Sequence, residues 1–182
     1  PAISFIEQKT KKQYGVNDSD TRAMRILADH LRGAVMMMAD GVLPSNKAQG
    51  YILRRLIRRS LMYGKELGIS QDWMYIGEFA QIFGEVYEES YPEVLKKSLQ
   101  IKELLEEEAM RFGKTLEKGL SEIEKMEALD GHKAFYLYES FGFPWEMTEE
   151  IARDRGQDIA RTQFEEEFMK HKNASRTAAA GM

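Results

Sequence analysis

From Glu93 to Leu129 the chain places apolar or small residues at Val94, Ser98, Ile101, Leu105, Ala109, Phe112, Leu116, Gly119, Ile123 and Met126, in steps mostly of three and four. That spacing makes one narrow stripe along an α-helix; a strand would need alternation. Pro92 suits the opening of such a helix, which at 1.5 Å per residue would extend roughly 50 Å. A seam so long and narrow needs a lengthwise partner. Two are available: a second copy, making the element a dimerisation arm, or other helices of the same chain. Gly113 and Gly119 weaken a free-standing helix and favour the second.

The rest of the chain keeps the same period. Residues 3 to 13 read as a short helix with Ile3, Phe5 and Ile6 on its apolar side, stopped by Tyr14-Gly15. Asn17, Asp18 and Ser19 supply a cap for a helix from Asp20 to Ala39, whose apolar set is Met24, Leu27, Leu31, Ala34, Val35 and Met38. The run Met36 to Met38 reads as core filling. A further helix is expected from Asp72 to Ser90, carrying Trp73, Ile76, Phe79, Ile82, Phe83 and Val86. Asp130-Gly131 turns the chain into a helix ending at Phe141, and Gly142-Phe143-Pro144 breaks it. Thr148 reads as the cap of a helix to about Arg155, and a last helix runs from Thr162 to Lys172. Residues 175–182 read as a linker after a helical domain of residues 1–174. No alternating segment and no internal repeat occurs, so the expected class is all-α, in two lobes with one long helix and no substantial sheet.

The chain has no cysteine, which excludes disulfides and thiolate metal sites and fits a reducing cytoplasm. No apolar run approaches the ~18 residues of a membrane span, so no membrane partner is expected. The histidines, His30, His132 and His171, are far apart and read as surface or capping residues. No phosphate-cradling glycine loop and no nucleophile–histidine pair can be placed, so the chain is expected to act by binding. A start at Pro-Ala-Ile and an end at Ala-Gly-Met read as a piece of something longer.

The net charge of −4 conceals an asymmetry. Residues 20–66 hold nine Lys/Arg against four Asp/Glu, whereas residues 85–130 hold seven against thirteen. The basic surface is therefore confined, and an acidic total does not argue against nucleic acid.

That basic region centres on Asp40 to Arg59. Asp40-Gly41 and Pro44 mark a turn, and Ser45 reads as the N-cap of the following helix. On a helical wheel Arg54, Arg58, Arg55 and Arg59 share one side, with Leu53, Leu56, Ile57 and Leu61 opposite. Guanidinium groups in this density suit phosphate, because each planar fork donates two hydrogen bonds at once. A salt-bridged surface helix, an acidic protein partner and a nucleic acid remain open from spacing alone. In A-form RNA the readable groove is the shallow minor groove, which short polar side chains from a loop can reach.

Two stretches then carry a resemblance. RILADHLRGAVMMMADGVLPSNKAQGYILRRLIRRSLMYGKELG, from Arg25 to Gly68, resembles the segment of alanyl-tRNA synthetases that follows the class II catalytic core. FYLYESFGFPWEMTEEIARDRG, from Phe135 to Gly156, resembles a second signature of those enzymes. The similarity covers nearly the whole chain and is least distinctive from about Ile69 to Asp130.

The resemblance implies a tRNA-recognition (middle) domain that presents the acceptor stem of tRNA(Ala) and reads a G·U wobble pair from the minor groove. It implies base-reading roles for Asn46, in the Pro-Ser-Asn turn, and for Glu139, where the family usually has aspartate. A carboxylate there can accept from the guanine amine, and an amide can serve the neighbouring base edge. Glu139 is one methylene longer than aspartate, and Ser140-Phe141 replaces the common Thr-Tyr. Ser45, Lys47, Arg54, Arg55, Arg58 and Arg59 are assigned as a group to the RNA backbone. The resemblance puts the catalytic core, with ATP, before this segment and a zinc-bearing editing domain after it. This segment is thus expected to carry no catalytic residue, cofactor or metal and to have no DNA partner, while its parent would be a ligase. The competing reading is a helical scaffold or dimerisation segment without RNA specificity.

Overall fold

The computed structural model describes residues 1–69 and 72–180, with side chains through residue 174. Among the described residues all regular structure is helical: nine α-helices, one 3₁₀ turn and no strand, as the uniform three-four spacing requires. The chain divides into two compact units, Pro1–Gly113 and Lys114–Met182.

The first unit is built on a helical pair. α1 (Ala2–Thr10) is shorter than its apolar pattern suggested, because Lys11 turns left-handed at φ 58 and caps it through its N–H to Glu7 O at 2.8 Å. α2 (Asp18–Ala39) starts where Asn17 Oδ1 accepts from Asp20 N at 3.0 Å, the cap read from sequence. α3 (Ala48–Glu66) lies along α2. On these two helices Met24, Leu27, Leu31, Leu53, Ile57 and Leu61 are fully buried. Each such side chain contributes about 1.5–3 kcal/mol, so this pair anchors the unit.

The helix expected from Asp72 to Ser90 is divided. Trp73–Gly77 is a 3₁₀ turn, α4 (Glu78–Val86) follows, and the chain leaves the helix at Tyr87. The long helix is also divided. α5 (Pro92–Lys96) ends at Lys97, with φ −96 and ψ 3, and α6 (Ser98–Lys125) runs for 28 residues, about 42 Å. Lys97 reaches from this break to Ala39 O, 2.6 Å away, setting an ammonium at the C-terminal end of α2.

The seam of α6 is occupied within the chain. A methyl group on Gly113 would lie 2.6 Å from Trp73 Nε1, within the first unit. One on Gly119 would collide with the Phe143 ring, within the second. The glycines that weaken an isolated helix thus admit intrachain aromatic rings.

The second unit packs the end of α6 with α7 (Gly131–Phe141), α8 (Trp145–Asp154) and α9 (Arg161–Ala180). Asp130 caps α7 by accepting from Lys133 N at 2.8 Å. Gly142, left-handed at φ 71, closes it with its N–H on Tyr138 O at 3.0 Å. Phe164 gathers the core, with ring centroids 5.3 Å from Trp145, 5.7 Å from Tyr138 and 5.9 Å from Phe135. Thr148 does not cap α8. Pro144 precedes the helix and Thr148 is buried inside it, because the fixed φ of proline already suits a helix start. The backbone of α9 continues to Ala180, through six residues read from sequence as linker; residues 181 and 182 lie outside the described residues.

Candidate nucleic-acid interface

The turn between α2 and α3 is fastened from inside. Gly41, at φ 89, and Val42 bond back to Met38 O and Met37 O at 2.9 and 3.0 Å, ending α2. Ser45 N then donates to Gly50 O at 3.1 Å, folding the turn over the first residues of α3. This approach requires Gly50, where a methyl group would overlap Ser45 Oγ and sit 2.5 Å from Leu43 O.

Ser45 is not the helix cap. Its hydroxyl donates to Lys47 O at 3.0 Å and accepts from Lys47 N at 3.3 Å, while Lys47 occupies the cap position two residues later. The reason is local: Ser45 is spent on closing the turn, and Ala48 follows at φ 47. A non-glycine residue there costs about 1–2 kcal/mol, so the surrounding bonds hold the tip in a fixed shape. Asn46 and Lys47 stand exposed at that tip.

The four arginines are not equivalent. Arg54 and Arg58, one turn apart on α3, both converge on Glu108 of α6. Arg54 Nε lies 3.1 Å from Glu108 Oε1, and Arg58 approaches the same oxygen with Nη2 at 2.9 Å and Nε at 3.0 Å. Glu108 is only 4% exposed and each guanidinium-bearing side chain 18%. The Arg58 guanidinium also stacks over the Phe112 ring, 4.8 Å from its centroid. Losing the carboxylate would leave two confined cations, a change that typically costs about 3–5 kcal/mol. Arg54 continues outward, donating through Nη1 to Asn46 Oδ1 and through Nη2 to Pro44 O at 3.4 Å. Arg55 and Arg59 are half-buried on the neighbouring strip of α3.

The first unit therefore brings together Ser45, Asn46, Lys47, Arg54 and Arg58. Glu139 belongs to the second unit, in the last turn of α7, where helix carbonyls disfavour an anion. It pairs with His171 of α9, Nδ1 to Oε1 at 2.8 Å. A reciprocal pair joins His132 of α7 to Glu167 of α9 at 3.3 Å, and the Glu167 carboxyl is held below its ordinary range mainly by Lys170. Sequence reading missed both Glu108 and His171. Glu108 sat in an acidic run, Glu106 to Glu108, that reads as solvated. Its position three residues after Leu105 and four before Phe112, both on the buried seam, is the signal that marks it. No group of three or more His, Asp or Glu able to hold a metal ion occurs among the described residues.

A helical chain built around an arginine helix and a rigid polar turn is here a member of a synthetase family. The sequence model described as tRNA synthetases class II (A) matches residues 1–182, and the chain belongs to that family. More narrowly, it is similar to alanine–tRNA ligases. That of Geobacillus thermodenitrificans (strain NG80-2) is 37% identical over 98% of this chain and 21% of its own length. That of Staphylococcus epidermidis (strain ATCC 35984) is 36% identical, and that of Pediococcus pentosaceus (strain ATCC 25745) is 34% identical, with the same coverage. The chain thus spans about a fifth of the length of these relatives. Among the described residues no helix is long and apolar enough to cross a membrane.

Proposed function

We infer that this chain is the tRNA-recognition segment, or middle domain, of an alanine–tRNA ligase working in the cytoplasm. It takes the acceptor stem of tRNA(Ala) and reads a G·U wobble pair from the minor groove. Asn46 and Glu139 contact the base edges, while Ser45, Lys47 and the arginine face of α3 hold the backbone. Its partners in the parent enzyme are a catalytic core using ATP and an editing domain carrying zinc. Neither group has a role for the residues of this segment.

The observation that carries this reading is the turn itself: an exposed amide at a braced tip beside a helix of four arginines, in a chain similar to alanine–tRNA ligases over 98% of its length. Backbone contacts supply position and salt-sensitive affinity, and base contacts supply choice. The internal engagement of Arg54 and Arg58 with Glu108 narrows their part. Arg54 also braces the turn through Asn46 and Pro44, and Lys47 stands exposed at its tip for the backbone.

The test is titration of an acceptor-stem hairpin carrying the wobble pair against one carrying G·C. The chain should prefer the wobble, and Asn46→Ala should remove about 1–3 kcal/mol of that preference. Equal affinity for both hairpins would contradict the reading.

A further inference from the structure

We propose that Glu108 is a positioning residue: acting through Arg54, it sets which way Asn46 presents its amide. This deepens the function inferred above and rests on that reading for its consequence in RNA recognition. The chain of contacts is continuous. The buried Glu108 carboxylate forms an ion pair with Arg54, Oε1 to Nε at 3.1 Å without a hydrogen bond at Nε, and the same guanidinium donates from Nη1 to Asn46 Oδ1. Arg58 is held by the same oxygen and lies over the Phe112 ring.

The consequence follows from donor and acceptor inventory. A guanidinium only donates, so it must face the carbonyl oxygen of the Asn46 side chain. The amide's Nδ2 hydrogens are then left for the solvent side, and Asn46 meets a partner as a donor. Every base offers an acceptor in the minor groove, O2 of a pyrimidine or N3 of a purine. A wobble pair displaces its pyrimidine, and with it that acceptor. An amide fixed in direction can register this displacement; one free to flip cannot. Glu108 thereby acts on selectivity without touching RNA.

The experiment uses the full chain, labelled with ¹⁵N, and follows the side-chain amide signal of Asn46, assigned by its loss in Asn46→Ala. Glu108→Gln should make that amide mobile, as seen by its heteronuclear NOE. Glu107→Gln, changing an exposed neighbour paired with Arg111, should leave it ordered. Arg54→Lys keeps a cation for Glu108 but lacks the second arm of the fork, and should also free Asn46; it decides the matter if Glu108→Gln fails to fold. An amide as ordered in these variants as in the parent chain would overturn the proposal. With RNA, Glu108→Gln should lower the wobble-over-G·C preference roughly tenfold, and lower it no further in an Asn46→Ala background. Equal losses in both backgrounds would reduce Glu108 to a structural residue and overturn the proposal. If Asn46→Ala alone leaves the preference intact, the inferred function fails instead, and the amide signal still decides the role of Glu108.

Discussion

His171 Nδ1 lies 2.8 Å from Oε1 of Glu139, so the carboxylate assigned to base reading already has a partner on α9. Both side chains remain about half exposed, at 50% and 49%. Such pairs contribute little to stability, with a median of about 0–1 kcal/mol, and a guanine amine could take the oxygen over.

If His171 competes for that oxygen, His171→Ala should strengthen binding of the wobble hairpin by up to about 1 kcal/mol. Glu139→Ala should instead cost about 1–3 kcal/mol of wobble preference. Fluorescence anisotropy with a labelled hairpin measures both. Weaker binding by His171→Ala would mean that the histidine orients Glu139 for reading.

Gly50→Ala should disturb the site without touching RNA. The new methyl would press on Ser45 Oγ and the Leu43 carbonyl, displacing the turn that carries Asn46. A loss of about 1–3 kcal/mol in urea unfolding is expected, with a reduced wobble preference in the fraction that folds. Unchanged stability would show that the turn yields at no cost.

Lys47 should behave as a pure backbone contact, since it is exposed at the tip beside Asn46. Lys47→Gln should lower the slope of log affinity against log salt by about one and leave the wobble-over-G·C ratio unchanged. A changed ratio would assign Lys47 to base reading.

Tyr75 gives a prediction on stability alone. Burial, and then the charge of Asp72, push its phenol far above the ordinary 10.0, and its hydroxyl donates to Ser60 O at 3.3 Å. Above that ordinary value the unfolded chain binds fewer protons than the folded one, so stability must fall as pH rises. The contribution is full below pH 10.0 and is lost progressively above it. Tyr75→Phe should flatten this alkaline decline, at a cost of roughly 1 kcal/mol near neutrality from the lost hydrogen bond. Urea unfolding followed from about pH 8 to about pH 11 measures it.

Sequence was most informative where the relevant forces are local. The Asn17 cap, the stop at Gly142 and the buried stripes of α2 and α3 each follow from neighbouring residues, and each stands where its spacing indicates. Boundaries failed where contacts outside the helical pattern intervene. Ser45 resembles a cap but is drawn to Lys47 and Gly50 by the folded turn, and the break at Lys97 coincides with a side chain that reaches α2. The site divided in the same way. The exposed residues Asn46, Lys47 and Glu139 could be named from motifs. Glu108 and His171 could not, because each matters through a side chain far away in sequence, Arg54 and Glu139.

The inferred role of Glu139 is to accept from the guanine exocyclic amine. The most direct measurement compares a hairpin carrying G·U with one carrying inosine·U, which differs only by the exocyclic amine. The parent chain should bind G·U more tightly, and Glu139→Ala, which removes the acceptor, should bind the two alike. Asn46→Ala removes a donor to acceptors that both hairpins share, and should leave this discrimination in place. Equal affinity of the parent chain for both hairpins, or an undiminished preference in Glu139→Ala, would contradict that role.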